Sequence, residues 1–275
     1  MTNSVNTNAG AMIALQNLNR TNMELEQVQS RINTGLSVAG AKDNGGIYAI
    51  AQRMRSEVSG YKAVQDSLNR AVSTVDVALA AGEAISDLLI EMKEKALASA
   101  DSSLDTASRS ALNEDFKALR DQINTIVSNA EFNGTNLINN SVASITALAN
   151  ADGSNTITVL DENLSLGGGV VTIAATASYA TATQADTIAS QLGTSLDNVN
   201  AALARLGTKS KALEIHSTFV TKLSDSLTEG IGNLVDADLA RESARLQSLQ
   251  VKQQLGIQAL SIANQSPQSI LSFFR

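Results

Sequence analysis

Residues 191–235, QLGTSLDNVNAALARLGTKSKALEIHSTFVTKLSDSLTEGIGNLV, set Leu192, Val199, Leu206, Leu213, Val220, Leu227 and Leu234 seven apart without a miss. A seven-residue apolar repeat keeps one stripe on one face of an α-helix. A stripe of this length needs a partner along all of it, because propensity alone does not hold so long a helix. The partner lies upstream. Met54, Tyr61, Leu68, Val75, Gly82, Leu89 and Ala96 form one seven-residue series, and Val64, Ala71, Ala78, Ile85 and Met92 a second. They predict a helix from Ile47 to about Ser99.

Outward from this pair the periodicity continues. After a break at Asp101-Ser102-Ser103, Leu112, Phe116, Leu119, Ile123 and Ile126 predict another helix. Residues 11–36 carry Ala11, Leu18, Leu25 and Ile32 with Ala14 and Val28 between them, and Gly35 ends that helix near Thr34. Beyond Val235 the register shifts, and Leu239, Leu246, Leu249, Leu255, Ala259 and Ile262 carry an apolar face through a final helix. The segment 135–183 is rich in Asn, Thr, Ser and Gly. It reads as a small β-rich excursion, with strands at Thr156–Val159 and Val170–Ile173 turned by Gly167-Gly168-Gly169. The expected fold is mainly α. It is a long antiparallel helical bundle or coiled coil, with paired N- and C-terminal helices and the excursion at its tip.

A lone pair of terminal helices leaves apolar surface in water. The expected self-assembly interface is therefore the seam of Leu18, Leu25, Val28 and Ile32, with Leu246, Leu249, Leu255, Ile262 and Leu271 at the other end. Copies of the chain itself are the expected partners.

Composition points the same way. The 275 residues include no Trp and no Cys, aromatics are 3%, and the only proline is Pro267. A core of Ala, Leu, Ile and Val suits helices packed side by side. The charge is 20 − 27 = −7 with no basic run, so neither nucleic acid nor an anionic membrane is an expected partner. No segment has the roughly 20 apolar residues that span a bilayer. The N-terminal MTNSVNTNAGAMIALQ lacks the pattern of a cleavable secretory signal.

The sequence offers little for catalysis. His216 is the only histidine, and its place three residues before Phe219 on a packed helix reads as structural. Asp236, Asp238 and Glu242 suit the N-terminus of the last helix better than a cation. Asp43-Asn44-Gly45-Gly46 lacks the spaced acids of a calcium loop and reads as a connector. No phosphate loop, nucleophile elbow or zinc spacing occurs. The expectation is a structural protein, without enzymatic activity, metal or cofactor.

Several motifs resemble bacterial flagellin, the filament subunit, over nearly the whole chain. They are Leu25-Glu26-Gln27-Val28-Gln29-Ser30-Arg31-Ile32-Asn33-Thr34-Gly35-Leu36, then Ala41-Lys42-Asp43 and Ala49-Ile50-Ala51-Gln52-Arg53-Met54. Phe132-Asn133-Gly134 is similar to the family's close of its second outer-core helix. The tail from Gln254-Leu255-Gly256-Ile257 to Ser266-Pro267-Gln268-Ser269-Ile270-Leu271 is similar to the family's tail. The resemblance implies an inner-core domain built from 1–45 and 236–275 around an outer-core domain, 46–235, in a short form without the large variable domains.

It further implies export in unfolded form through the flagellar type III apparatus and a place in the extracellular filament used for swimming. The implied partners are sister flagellins, a flagellar cap, hook-associated proteins and an export chaperone. Ser178, Thr181, Thr183 and Thr187 become candidate O-glycosylation positions on a solvent-facing tip. Glu91 and Lys95 stand where flagellins sensed by the vertebrate innate receptor carry Arg and Leu, which implies evasion of that receptor. Two alternatives have discriminating features. A hook–filament junction subunit fits the Pro267-containing tail less well, and a chemoreceptor-like signalling bundle needs a membrane span or adaptor-binding tip.

Overall fold

The computed structural model describes residues 7–271, and the side chains of residues 7–265. The elements run α1 (Ala9–Thr34), α2 (Gly45–Ser99), α3 (Thr106–Asn129), β1 (Ser144–Leu148), β2 (Thr156–Leu160), α4 (Ala182–Val235) and α5 (Leu239–Leu271). They fall into two compact units. Glu57–Asp225 make one, and the chain up to Ser56 with the chain from Ser226 makes the other.

Within Glu57–Asp225, α2 and α4 run antiparallel. Gln65 donates to Ser217 Oγ, Ser210 Oγ to Asp76 Oδ1 at 3.3 Å, and Gly82 faces Leu203, so partners descend α4 as α2 ascends. The expected seams are the core: Val64, Leu68, Val75, Ile85, Leu89 and Met92 bury against Leu192, Val199, Leu206, Leu213 and Val220. Gly82 belongs to this seam because a β-carbon there would stand 2.6 Å from Leu203 Cδ2. Its lack of a side chain lets the helices approach.

The break after α2 has a specific lock. Arg109 donates from Nε to Ser99 O at 2.9 Å and from Nη2 to Asp101 O and Leu104 O, filling carbonyls that a helix end leaves open. Asp105 caps α3 by accepting from Ser108 N at 2.7 Å. Phe116 of α3 then stacks tilted on Tyr179, centroids 5.2 Å apart, while Tyr179 N donates to Asn113 Oδ1.

The excursion corrects the sequence reading twice. Its hairpin is β1 with β2, antiparallel from Ser144↔Leu160 to Leu148↔Thr156. Val170–Ile173 forms no strand. Val171 and Ile173 are buried, but this backbone is tied to α4 by side chains: Thr172 N donates to Ser195 Oγ, and Asn198 Nδ2 donates to Val170 O. Apolar alternation there serves packing on a helix, which periodicity cannot tell from pairing. The hairpin is also not at the tip. Leu148 N donates to Ser67 Oγ, His216 Nε2 lies 2.7 Å from Ala149 O, and Gly60 faces Ala151, so the hairpin lies along the flank of α2 and α4.

In the other unit, α1 and α5 pair antiparallel. Asn8 caps α1 through Ala11 N and also donates to Ala263 O at 2.6 Å; Gln253 donates to Asn22 Oδ1 at 2.8 Å. Gly35 ends α1 with φ +71, the left-handed cap the sequence predicts. The connector after it covers the end of α4, with Ser37 N donating to Val235 O at 2.7 Å. Leu234, expected in the seam, is exposed; Ile231 and Val235 are buried instead. The register therefore changes inside α4, before the helix ends.

Candidate assembly surface

Each terminal helix has an inner face and an outer face, and the sequence-predicted interface residues divide between them. On α1, Leu18, Leu25, Val28 and Ile32 lie on the side turned to α5, and Val28 is only 1% exposed. On α5 the inner positions are Leu246, Leu249, Gln253, Gly256, Leu260 and Ala263, with Leu249 2% exposed. Gly256 lies under Leu18: a β-carbon on it would stand 3.3 Å from Leu18 Cδ1. Val28 and Leu249 are therefore closed off by their own chain and are not free to meet a copy. Leu18, Leu25, Ile32 and Leu246 are half-buried on the same inner side.

Leu255 and Ile262 face out, 58% and 69% exposed, beside Val251, and Ile257 is exposed on the other flank of the helix. The side chain of Leu271 lies outside the described residues. Sequence reasoning missed the matching outer residues of α1, which are Met12, Ile13, Leu15 and Met23. They fall outside the heptad that the inner face obeys, and their signal was simply apolar type at exposed helical positions. Among the described residues nothing covers the outward apolar side chains of either helix.

Charge organises the pair. Asp238 Oδ1 accepts from Ala240 N and Arg241 N at the start of α5, the capping role the sequence suggests. Glu242 Oε1 meets Arg31 Nη1 at 3.2 Å, while Arg31 Nε and Glu242 Oε2 are buried without a hydrogen bond. Asp236 joins Leu36 in an isolated bridge instead of a cation site. Among the described residues no cluster of acids and histidines could hold a metal, and no helix is long and apolar enough to cross a membrane.

The modification and receptor candidates are placed as follows. Ser178, Thr181, Thr183 and Thr187 are all exposed. They are not on a loose tip. Thr181 forms a capping box with Gln184, and Thr183 and Thr187 are on α4, Thr187 Oγ1 donating to Thr183 O. Ser178 sits between Ala177 and Tyr179, both hydrogen-bonded to α3. Glu91 is exposed and Lys95 half-buried on α2, and among the described residues no ion pair joins them. His216 stacks on Phe219 at 5.9 Å and holds the hairpin loop, a structural role.

Comparison with known proteins matches this arrangement. The family model described as bacterial flagellin N-terminal helical region matches residues 5–143, and the bacterial flagellin C-terminal helical region matches 189–274. The chain is 57% identical over 273 residues to Flagellin FljM of Caulobacter vibrioides, covering 99% of each. It is 39% identical to a flagellin of Brucella melitensis, again covering 99% of each. Among solved structures, a flagellar hook-associated protein from Vibrio parahaemolyticus matches 70% of this chain and 100% of its own, with TM-score 0.59 and 14% identity. Bacillus cereus flagellin matches 56% of this chain and 88% of its own, with TM-score 0.50 and 22% identity. With both helical regions matched and full-length relatives well above a third identical, the chain belongs to the bacterial flagellin family, the structural subunits of the flagellar filament.

Proposed function

We propose that filament growth covers the outer faces of α1 and α5, and that the inner faces serve only to hold those two helices together. The observation that carries this is the division of apolar residues: Met12, Ile13, Leu15, Met23, Val251, Leu255, Ile257 and Ile262 remain in water while the seam between the helices is filled. In this account 1–45 and 236–275 form the inner core and 46–235 the outer core. The subunit is exported unfolded, leaves by the flagellar route, and meets cap, hook-associated proteins and chaperone on the way. Its partners in the filament are copies of itself and sister flagellins. It catalyses nothing and binds no cofactor; its work is mechanical. Chains lacking 1–36 or 240–275 are expected to stay soluble and helical without polymerising, and filaments from either would remove the terminal helices from the interface.

The exposed hydroxyls of Ser178, Thr181, Thr183 and Thr187 are the positions we assign to O-linked sugars. An intact mass of native filament protein equal to the bare chain would exclude that. Glu91 and Lys95 are assigned to weak recognition by the vertebrate receptor. They put a carboxylate and an ammonium where sensed members of the family offer a guanidinium and an apolar contact.

A further inference from the structure

Asparagine or aspartate stands directly before glycine at Asn44-Gly45, Asn133-Gly134 and Asp152-Gly153. Such a pair is chemically reactive, because a glycine nitrogen, unhindered by a side chain, can attack the side-chain carbonyl carbon before it. All of these residues are exposed, so exposure does not separate the pairs. Hydrogen bonding does. Asn44 Oδ1 accepts from Ile47 N at 3.1 Å and its carbonyl accepts from Tyr48 N at 2.9 Å, so Asn44 caps α2. Turning its backbone for attack breaks the first turn of that helix. Asp152 Oδ1 accepts from Ser154 N and from Ser154 Oγ, and Gly153 N donates to Asn150 O at 3.2 Å. Both reacting groups are engaged there, and a carboxylate is the poorer electrophile.

Asn133-Gly134 is different. Phe132 N donates to Thr135 O at 2.9 Å and Thr135 N to Phe132 O at 3.0 Å, which closes a two-residue turn. With φ +50 at Asn133 and +79 at Gly134, it is a turn of the left-handed kind that Asn-Gly favours. Among the described residues neither the Asn133 side chain nor the Gly134 nitrogen makes a hydrogen bond. The space around Gly134 is open: the nearest heavy atom to a β-carbon there would be Glu131 Oε1, at 4.0 Å. Only the two Phe132–Thr135 bonds resist rotation of Asn133 into line. Opening an exposed turn costs far less than opening a helix.

We propose that Asn133 is a site of spontaneous backbone modification, deamidating through a succinimide to isoaspartate while the chain is folded. The Gly134 nitrogen gives its proton to solvent base and bonds to Asn133 Cγ; the Cγ–Nδ2 bond breaks and ammonia leaves. Water then opens the ring. Cleavage between the nitrogen and Cγ leaves aspartate, and cleavage between the nitrogen and the main-chain carbonyl carbon of Asn133 leaves isoaspartate. Ammonia leaves, water enters, and nothing is oxidised or reduced. In isoaspartate the main chain runs through Cβ and Cγ, and the lengthened turn does not keep both Phe132–Thr135 bonds. This turn carries the chain from α3 to Asn136, whose Nδ2 donates to Val127 O at 2.7 Å. The change therefore loosens the junction between α3 and the hairpin segment, and it sets a new carboxylate close to Glu131. The proposal is independent of the filament account.

Isotope uptake tests it. The full chain is held folded in mildly alkaline buffer made with heavy-oxygen water, and its peptic peptides are mapped by mass spectrometry. Label should enter at Asn133, mostly as isoaspartate, and at least about tenfold less at Asn44, whose opening costs helix. In guanidinium chloride, with turn and helix both gone, the two positions should convert at similar rates. Equal conversion of Asn44 and Asn133 in the folded chain would overturn the proposal. So would an intact Asn133 over the time in which the denatured chain converts, or a preference for Asn133 that denaturant leaves undiminished. Hydrogen exchange reads the consequence. The isoaspartyl form should lose protection at the Phe132 and Thr135 amides, and protection kept at both would overturn the loosening of the turn.

Discussion

Arg31 Nη1 of α1 lies 3.2 Å from Glu242 Oε1 of α5, and the side chains are only 25% and 12% exposed. Removing one partner leaves a charge in a place poorly reached by water. Full burial would make that cost roughly 3–5 kcal/mol; a quarter of Arg31 remains hydrated, so Glu242→Ala should cost about 2–3 kcal/mol. Amide hydrogen exchange in α1 and α5 should accelerate accordingly, and the double change Arg31→Met with Glu242→Met should recover most of the loss. Exchange unchanged in Glu242→Ala would show the pair is not part of what holds the helices.

Leu68 and Leu206 are central in their seams and completely buried. Leu68→Ala or Leu206→Ala should each lose about 2–5 kcal/mol, the transfer term plus a cavity. Leu68→Asp should leave no cooperative melt, because an unpaired carboxylate would enter the core. Thermal denaturation followed at 222 nm checks all three.

Two glycines of long helices should respond in opposite directions to alanine. At Gly60 a β-carbon would stand 2.8 Å from Ala151 O, a backbone atom of the hairpin loop, and the hairpin must shift. At Gly207 nothing lies within 4 Å. Gly207→Ala should therefore stabilise by up to about 1 kcal/mol through helix propensity. Gly60→Ala should lose about 1–3 kcal/mol as the contact is overpacked. Paired urea melts decide between them.

Much of this was legible from spacing alone. The seams of α2 and α4, the stop at Gly35 and the break before α3 all follow from heptads and caps. What was not legible is where periodicity has no contrast. The inner face of α5 uses Gln253, Gly256 and Ala263, small or polar residues that no apolar pattern marks, so spacing alone does not separate the buried Leu249 from the outward Leu255 and Ile262. β1 escaped because Ser144–Leu148 is short and mixes Ser, Thr and Ala with its two large apolar residues, and its sheet is fixed by Ser67 and His216 from distant helices.

Acid should loosen the α2–α3 turn. Asp101 and Asp105 have pKa values below the ordinary carboxylate range, mainly because the backbone N–H groups of Ser103 and Ser108 donate to them, and their serine hydroxyls next. A depressed folded-state pKa gives stability that is present above the unfolded value, about 3.9, and is lost as pH falls through the folded one. Melting temperature should drop below about pH 4. Asp105→Asn, which keeps a capping acceptor without a proton to gain, should shallow that drop. An identical profile in the variant would show that the cap is not the source.

If the outer, not the inner, apolar residues of the terminal helices build the filament, charges placed on them should abolish it while leaving the single chain folded. Electron microscopy of reassembled protein carrying Leu255→Asp and Ile262→Asp, beside wild type at equal concentration, tests it most directly. Both positions are solvent-exposed in the single chain, so the variant should fold and melt as wild type does yet form no filaments. Filaments of wild-type length from this variant would contradict the account.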